Sequence, residues 1–145
     1  MVAGVEIPID RNASAIQMAQ TIFGDGTQVI NASYTGDRDS SGIYSNGNAI
    51  SPGVTPSDTG VMFSTGDLRG FTNSNFFQSN QSASTTTTSS GPNGVADFNA
   101  AAGAQTFDAS FLDVDFIPTG DVMTMQFVFA SEEYPEFAVG AFQDF

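Results

Sequence analysis

The sequence TFDASFLDVDFIPTGDVMTMQFVFA, residues 106–130, decides the fold class of this chain. Two runs rich in aromatic and aliphatic residues, 106–117 and 121–130, flank the turn-forming sequence PTGD, and this arrangement predicts a β-hairpin. One face of the second run carries Met123, Met125, Phe127 and Phe129, and its other face is partly apolar. A strand that is apolar on both faces belongs in the centre of a sheet, so we expect residues 121–130 to be buried. In the first run the apolar residues move from odd to even positions near Phe111, and a β-bulge there would keep both sets on one face of the strand.

Composition places the whole chain in the all-β class. Its 145 residues suffice for one domain with one hydrophobic core. Fourteen Phe residues and no Trp, Cys or His make that core aromatic, and fifteen Gly residues among many Ser, Thr and Asn indicate frequent turns. We therefore expect a single domain over residues 1–145, built as a mainly antiparallel β-sandwich or jelly-roll-like fold.

One amphipathic helix is predicted near the start, in NASAIQMAQTIFGDG, residues 12–26. Asn12 or Ser14 can cap its N-terminus, and Gly24 can end it. Apolar residues recur on one face at helical spacing, namely Ala15, Ile16, Ala19, Ile22 and Phe23. We expect this to be the only substantial helix. Strands are predicted at 27–36 and 60–65, with a short extended piece at 43–44 and a polar loop at 72–94.

The charge balance limits the partners of the chain. Sixteen acidic residues face three arginines and no lysine, which gives a net charge of −13. Nucleic acids and anionic membranes need a basic surface, so neither is expected to bind, and no apolar run is long enough to span a bilayer. Cations fit this charge, although acidity by itself also keeps a secreted protein soluble. Without Cys and His, thiol and histidine catalysis are excluded, and metal ligands must be oxygens, which favours calcium.

Two acidic motifs are candidate calcium sites. DRDSSG, residues 37–42, places oxygen atoms on alternate positions of a tight loop, but an Asx-turn between strands explains the same pattern. SEEYPEF, residues 131–137, clusters three carboxylates that repel one another unless a cation or water separates them, and a solvated loop is its alternative. Its adjacent glutamates project to opposite faces of a strand, so they do not fit a glycosidase pair. The candidate ligands are Glu132, Glu133, Glu136, Asp144, Asp37 and Asp39.

Four segments in this order resemble the bacterial choice-of-anchor L domain: the helix 12–26, VINASYTGD, SDTGVMFSTGD, and ADFNAAAGAQTFDASFLDVDFIPTGDVMTMQFVFASEEYPEF. The likeness covers nearly the whole chain. It implies an extracellular or cell-surface bacterial domain that is held by C-terminal anchors, or carried with calcium-binding repeats and exported by a type I system. Such export needs no N-terminal signal, and MVAGVEIPIDRNAS has none of the standard kind. The family pattern implies no catalytic residues and continues past SEEYPEF, so we expect the domain to be incomplete at its C-terminus.

These observations predict a non-enzymatic extracellular domain for adhesion, biofilm structure or self-assembly, with calcium as a possible stabiliser. An unfinished sheet edge would pair with a strand from another copy or from another surface protein. The alternative is a carbohydrate-binding module or a glycan-active enzyme. The lack of Trp argues against that alternative, whereas Tyr34, Tyr44 and Tyr134 could stack on sugar rings.

Overall fold

The computed structural model describes residues 6–68 and 89–131, whose regular elements are antiparallel strands and short helices in roughly equal amounts. The strands are β1 (Ile9–Asp10), β2 (Thr27–Thr35), β3 (Ser41–Tyr44), β4 (Gly60–Phe63) and β5 (Phe111–Pro118). The helices are α1 (Ala15–Phe23), α2 (Gly47–Ile50) and α3 (Ala96–Ala102), with 3-10 turns at Gly24–Gly26 and Arg38–Ser40. Strands are thus accompanied by more helix than the all-β prediction allowed, and the described residues form no closed barrel.

The strands form two antiparallel sheets. One sheet has the order β1-β3-β4, and the other pairs β2 with β5. In the second sheet Thr27 lies opposite Pro118 and Thr35 lies opposite Phe111, with a register shift between Val29 and Asn31. The extra residue is therefore Ile30, in β2. The bulge predicted near Phe111 was wrong, because β5 only begins at that residue and the preceding residues are irregular.

Helix α1 forms where the sequence predicts it. The Ser14 hydroxyl accepts a hydrogen bond from the Gln17 N–H at 3.3 Å, and the Gln17 side chain accepts one from the Ser14 N–H at 2.8 Å. This reciprocal capping box satisfies two N–H groups that an uncapped helix leaves unpaired. Gly24 ends the helix with φ 59°, a conformation that glycine adopts without steric cost.

Helix α1 also joins the two sheets, since it contacts β2 and β5 of one sheet and β3 and β4 of the other. Its residues Met18 and Ala19 are fully buried. The ring of Phe23, at the end of α1, lies 4.7 Å from the ring of Phe116 in β5. The core of the described residues therefore lies between this helix and the sheets.

Helix α3, the longest after α1, was not expected. Its sequence ADFNAAA is rich in alanine, the best helix former, and Gly103 follows in the left-handed conformation that often ends a helix. The Phe98 ring of α3 packs edge-on against the Phe111 ring at 5.3 Å between centroids. The predicted loop at 72–94 lies partly outside the described residues, and Ser89 to Gly94 form no regular element.

The strand predicted at residues 121–130 is not formed, and this is the main correction to the sequence-based fold. These residues carry no regular secondary structure, and all of them are exposed. A central strand needs backbone partners on both edges and packing on both faces. Among the described residues, β5 pairs only with β2, and nothing covers residues 121–130. The local pattern predicted the conformation that these residues prefer, but it carried no information about their neighbours.

Candidate functional site

The most unusual surface of the described chain is the apolar ribbon, residues 121–130. Six large apolar side chains of this ribbon are more than half exposed: Val122 at 83%, Met123 at 52%, Met125 at 59%, Phe127 at 80%, Val128 at 57% and Phe129 at 63%. Single exposed apolar residues are common on protein surfaces, but a continuous exposed patch usually marks an interaction site. The ribbon has only one charged residue, Asp121, in a chain of net charge −13. It is therefore a local apolar surface on a strongly acidic protein.

The path of the chain into the ribbon is fixed by Thr119. Its backbone N–H donates to the Gly26 carbonyl at 3.4 Å, and its hydroxyl donates to the same oxygen. Directly after this point, residues 122–124 line a cavity of about 180 Å³ together with Phe23 and Thr27. The ribbon thus begins beside the end of α1 and the start of β2.

Asp37, one of the predicted calcium ligands, is fully engaged in hydrogen bonds within the protein. Its Oδ1 accepts from the Asp39 N–H at 2.9 Å, and its Oδ2 accepts from the Ser90 N–H and the Ser90 hydroxyl, both at 2.7 Å. The first of these bonds is the Asx-turn that the sequence allowed. The Asp39 N–H, followed by the hydroxyl and N–H of Ser90, lowers the pKa of Asp37 below its ordinary value, against a smaller opposing effect of burial.

Asp39, the other predicted ligand in this motif, forms an ion pair. Its Oδ1 lies 2.7 Å from Nη1 of Arg11, which is also 3.6 Å from Oδ1 of Asp67. Arg11 and Arg38 line one polar cleft of about 340 Å³, where the Arg38 guanidinium donates to Oδ1 of Asn12 at 2.9 Å. Arg11 thus supplies, at Asp39, the positive charge that the sequence led us to expect from calcium.

A hydroxyl network beneath this motif was not predicted from the sequence. The Tyr34 hydroxyl donates to the Asp37 carbonyl at 2.8 Å and lies 2.9 Å from Ser110 Oγ. Ser110 Oγ donates to the Ser40 carbonyl at 3.2 Å, and the buried Ser40 hydroxyl donates to the Gly66 carbonyl at 2.8 Å. These contacts join residues up to 76 positions apart. No local spacing in the sequence could have revealed them.

The remaining candidate ligands lie outside the described residues: Glu132, Glu133, Glu136 and Asp144. Within residues 6–68 and 89–131, no three acidic side chains cluster closely enough to hold a metal ion. Calcium binding therefore stays a prediction from the sequence.

Two of the three tyrosines considered for sugar binding have structural roles. Tyr44 is only 5% exposed, and its hydroxyl lies 3.3 Å from both the carbonyl and the hydroxyl oxygen of Ser57. The Tyr34 ring stacks on Phe63 at 6.3 Å between centroids, which links β2 to β4. Neither ring is an open platform for a sugar. Tyr134 lies outside the described residues.

No helix among the described residues is long and apolar enough to cross a membrane.

Comparison with known proteins identifies the family. No curated protein and no solved structure gives a significant match. The family model described as "Choice-of-anchor L domain" matches residues 8–145, nearly the whole chain, which confirms the resemblance seen in the sequence. Domains of this kind are found in secreted or cell-surface proteins and do not form a known enzyme family. The chain belongs to the choice-of-anchor L domain family.

Proposed function

We propose that this chain is a non-enzymatic extracellular domain that works by association, in adhesion, biofilm structure or self-assembly. The observation that carries the proposal is the exposure of the six large apolar side chains of the ribbon. In this proposal the two sheets are the layers of a β-sandwich that is completed when a partner covers the ribbon. A type I export route fits the same role.

The energy available from covering the ribbon is comparable with the cost of association. The six side chains are on average about two thirds exposed. Full burial of one such side chain contributes about 1.5 to 3 kcal/mol, so covering all six would contribute roughly 6 to 12 kcal/mol before the costs of association. Association costs about 4 to 15 kcal/mol, so at most about 8 kcal/mol remains, and micromolar affinity is the upper limit for covering one ribbon. The ribbon's single carboxylate keeps the electrostatic cost of burying it low.

The test compares two phenylalanines of similar exposure. Phe129, in the ribbon, is 63% exposed, and Phe107, outside the ribbon, is 59% exposed. We expect Phe129→Ser to weaken self-association or surface adhesion about tenfold, measured by sedimentation velocity and by adsorption to immobilised protein. Phe107→Ser removes an equally exposed ring and should leave both measurements near the wild-type values.

Equal effects of the two substitutions would show that general surface hydrophobicity, and not the ribbon, drives association. Unchanged association in both variants would refute the proposal. Circular dichroism spectra of both variants serve as the control for folding. Because both side chains are already exposed, we expect neither substitution to change the spectrum.

Calcium stabilisation is a second part of the proposal. It rests on the net charge of −13 and on the carboxylates at 132, 133, 136 and 144. Asp37 and Asp39 are weaker candidates, because the first accepts three hydrogen bonds and the second is paired with Arg11. A ligand that binds only the folded state raises the melting temperature as its concentration rises. We expect millimolar CaCl₂ to raise the melting temperature more than MgCl₂ at equal ionic strength. Equal rises in melting temperature with the two salts would show that the acidic residues serve solubility and do not bind calcium specifically.

The Glu132→Gln/Glu133→Gln double variant separates the two candidate motifs. If SEEYPEF binds calcium, this variant loses the calcium-dependent rise in melting temperature. Asp39→Asn would not lose it, because Asp39 is already paired with Arg11 at 2.7 Å. If only Asp39→Asn loses the calcium-dependent rise in melting temperature, the calcium site lies at residues 37–42 instead.

A further inference from the structure

We propose that the partner of the apolar ribbon is a second copy of this chain, and that the two copies exchange ribbons. In this arrangement, residues 121–130 of each copy pair with the outer edge of β5 of the other. The inference rests on the proposed function, because it names the partner of the same surface. It goes further by specifying backbone pairing and a closed, two-fold symmetric pair.

Each copy carries both halves of the missing strand pair. One edge of β5 (Phe111–Pro118) pairs with β2, and no described residue pairs with its other edge. An unpaired edge is a template for a strand from another chain. The ribbon supplies such a strand, since its backbone makes no ladder with any described residue. A surface that contains donor and acceptor together is self-complementary, which favours a second copy over an unrelated partner.

The path of the chain explains why the ribbon does not close on its own β5. Thr119 is hydrogen-bonded to Gly26, and residues 122–124 share a cavity with Phe23 and Thr27. The ribbon therefore leaves β5 beside α1 and β2, on the side of the sheet away from the outer edge of β5. Among the described residues, that edge is left for a ribbon that arrives from another molecule.

Length and face pattern match between the two segments. β5 has eight residues, and the ten-residue ribbon can span it. In β5 the inward face carries Leu112, Val114 and Phe116, and the exposed face carries Asp113 and Asp115. Added alongside, the ribbon's Met and Phe face would extend the apolar face of β5. The other face of the ribbon would place Thr124 and Gln126 beside the two aspartates, and neither of these ribbon residues carries a charge that would repel them.

Reciprocal exchange buries an area close to that of a stable dimer. Val122 and Val128 share the outer face with Thr124 and Gln126, so the apolar face of the ribbon has four side chains: Met123, Met125, Phe127 and Phe129. At about 150 to 200 Å² each and about two thirds exposed, they give roughly 450 Å² for each ribbon. Each copy also buries the surface that the partner's ribbon covers, so the total approaches the about 800 Å² per partner of specific interfaces. Two chains of net charge −13 repel each other, so exchange should strengthen when salt screens that repulsion.

The absence of cysteine allows a direct test of the exchange. One preparation carries Thr124→Cys or Gln126→Cys in the ribbon, and a second, of distinguishable mass, carries Asp113→Cys or Asp115→Cys in β5. After mixing and mild oxidation, we expect at least one ribbon–β5 pair to give a mixed disulfide dimer in high yield. Asn48→Cys, at an exposed site in α2, is the control and should give only background yield when mixed with a ribbon variant.

A proline variant tests for backbone pairing. Gln126→Pro removes a backbone N–H without removing an apolar side chain, and proline inside a sheet breaks its ladder. We expect it to weaken dimerisation at least about tenfold, whereas Gln126→Thr, which favours strands, should not. Between about 0.05 and about 0.5 M NaCl, the wild-type dimer should become tighter, and binding to a basic partner would instead become weaker.

Several results would overturn the exchange. If a single chain carrying Thr124→Cys and Asp115→Cys closes an internal disulfide and stays monomeric, the ribbon pairs with its own β5. Association that is lost in Phe129→Ser but kept in Gln126→Pro would leave the proposed function standing and refute strand pairing. Association unaffected by either substitution would refute both proposals.

Discussion

Removal of the Asp37 carboxylate should destabilise the described fold more than removal of any isolated surface charge. Asp37 accepts the N–H of Asp39 and both donors of Ser90, so one carboxylate joins the β2–β3 connection to a segment 53 positions away. Loss of an N-terminal cap costs about 1 kcal/mol. Each bond to a charged acceptor adds about 1.5 to 3 kcal/mol when buried and less at this partly exposed position.

For Asp37→Ala we therefore expect a loss of about 2 to 4 kcal/mol in the free energy of unfolding at pH 7. In a chain of this length, that corresponds to a fall of roughly 6 to 12 °C in melting temperature. Asp37→Asn keeps the bond from Asp39 but presents an NH₂ group to Ser90, so an intermediate loss is expected. The measurements are urea unfolding and thermal melting followed by circular dichroism.

The pH dependence supplies a second, independent measurement. The pKa of Asp37 is lowered in the folded protein, so its contribution to stability is complete above the ordinary carboxylate pKa of about 4. That contribution is lost as pH falls through the lower folded pKa. The stability difference between wild type and Asp37→Asn should thus be largest at neutral pH and shrink below about pH 4.

Asp115→Asn is the matched control, because Asp115 is an exposed carboxylate on β5 that accepts no side-chain hydrogen bond from a described residue. It makes the same chemical change and should alter stability by less than about 0.5 kcal/mol. The reasoning is refuted if the two Asn variants are equally stable at pH 7, or if the Asp37→Asn difference persists unchanged at pH 3.

Two further predictions concern packing and the hydroxyl network. A Cβ added at the buried Gly91 would lie 2.6 Å from the Ala109 carbonyl oxygen, so Gly91→Ala should lower the free energy of unfolding by about 1 to 3 kcal/mol. Gly26→Ala has open space around its Cβ and should leave the free energy of unfolding unchanged. Equal urea midpoints for the two variants would contradict this prediction. Tyr34→Phe should cost about 1 kcal/mol, more than Tyr44→Phe, because the Tyr34 hydroxyl bonds are 2.8–2.9 Å and those of Tyr44 are 3.3 Å. The reverse order in denaturant unfolding would show that distance does not set these contributions.

Local signals in the sequence determined several elements of this protein. Helix α1 was predictable with its end at Gly24 and its cap at either Asn12 or Ser14, since capping depends on residues within one helical turn, and the structure places the cap at Ser14. Strand β2 and the Asx-turn at Asp37 were also predictable, because alternation and turn chemistry act over a few residues. The family was recognisable from the order of its segments along the chain, which depends on sequence alone.

Only the tertiary structure decided what these elements contact. Residues 121–130 have the pattern of a buried strand, yet they are exposed, because burial depends on neighbours that the pattern does not specify. The pairing of Arg11 with Asp39 and of Ser90 with Asp37 likewise depends on how distant segments meet. Local sequence thus set conformational preference and chemistry, whereas chain topology decided which groups became partners and which apolar surface stayed exposed.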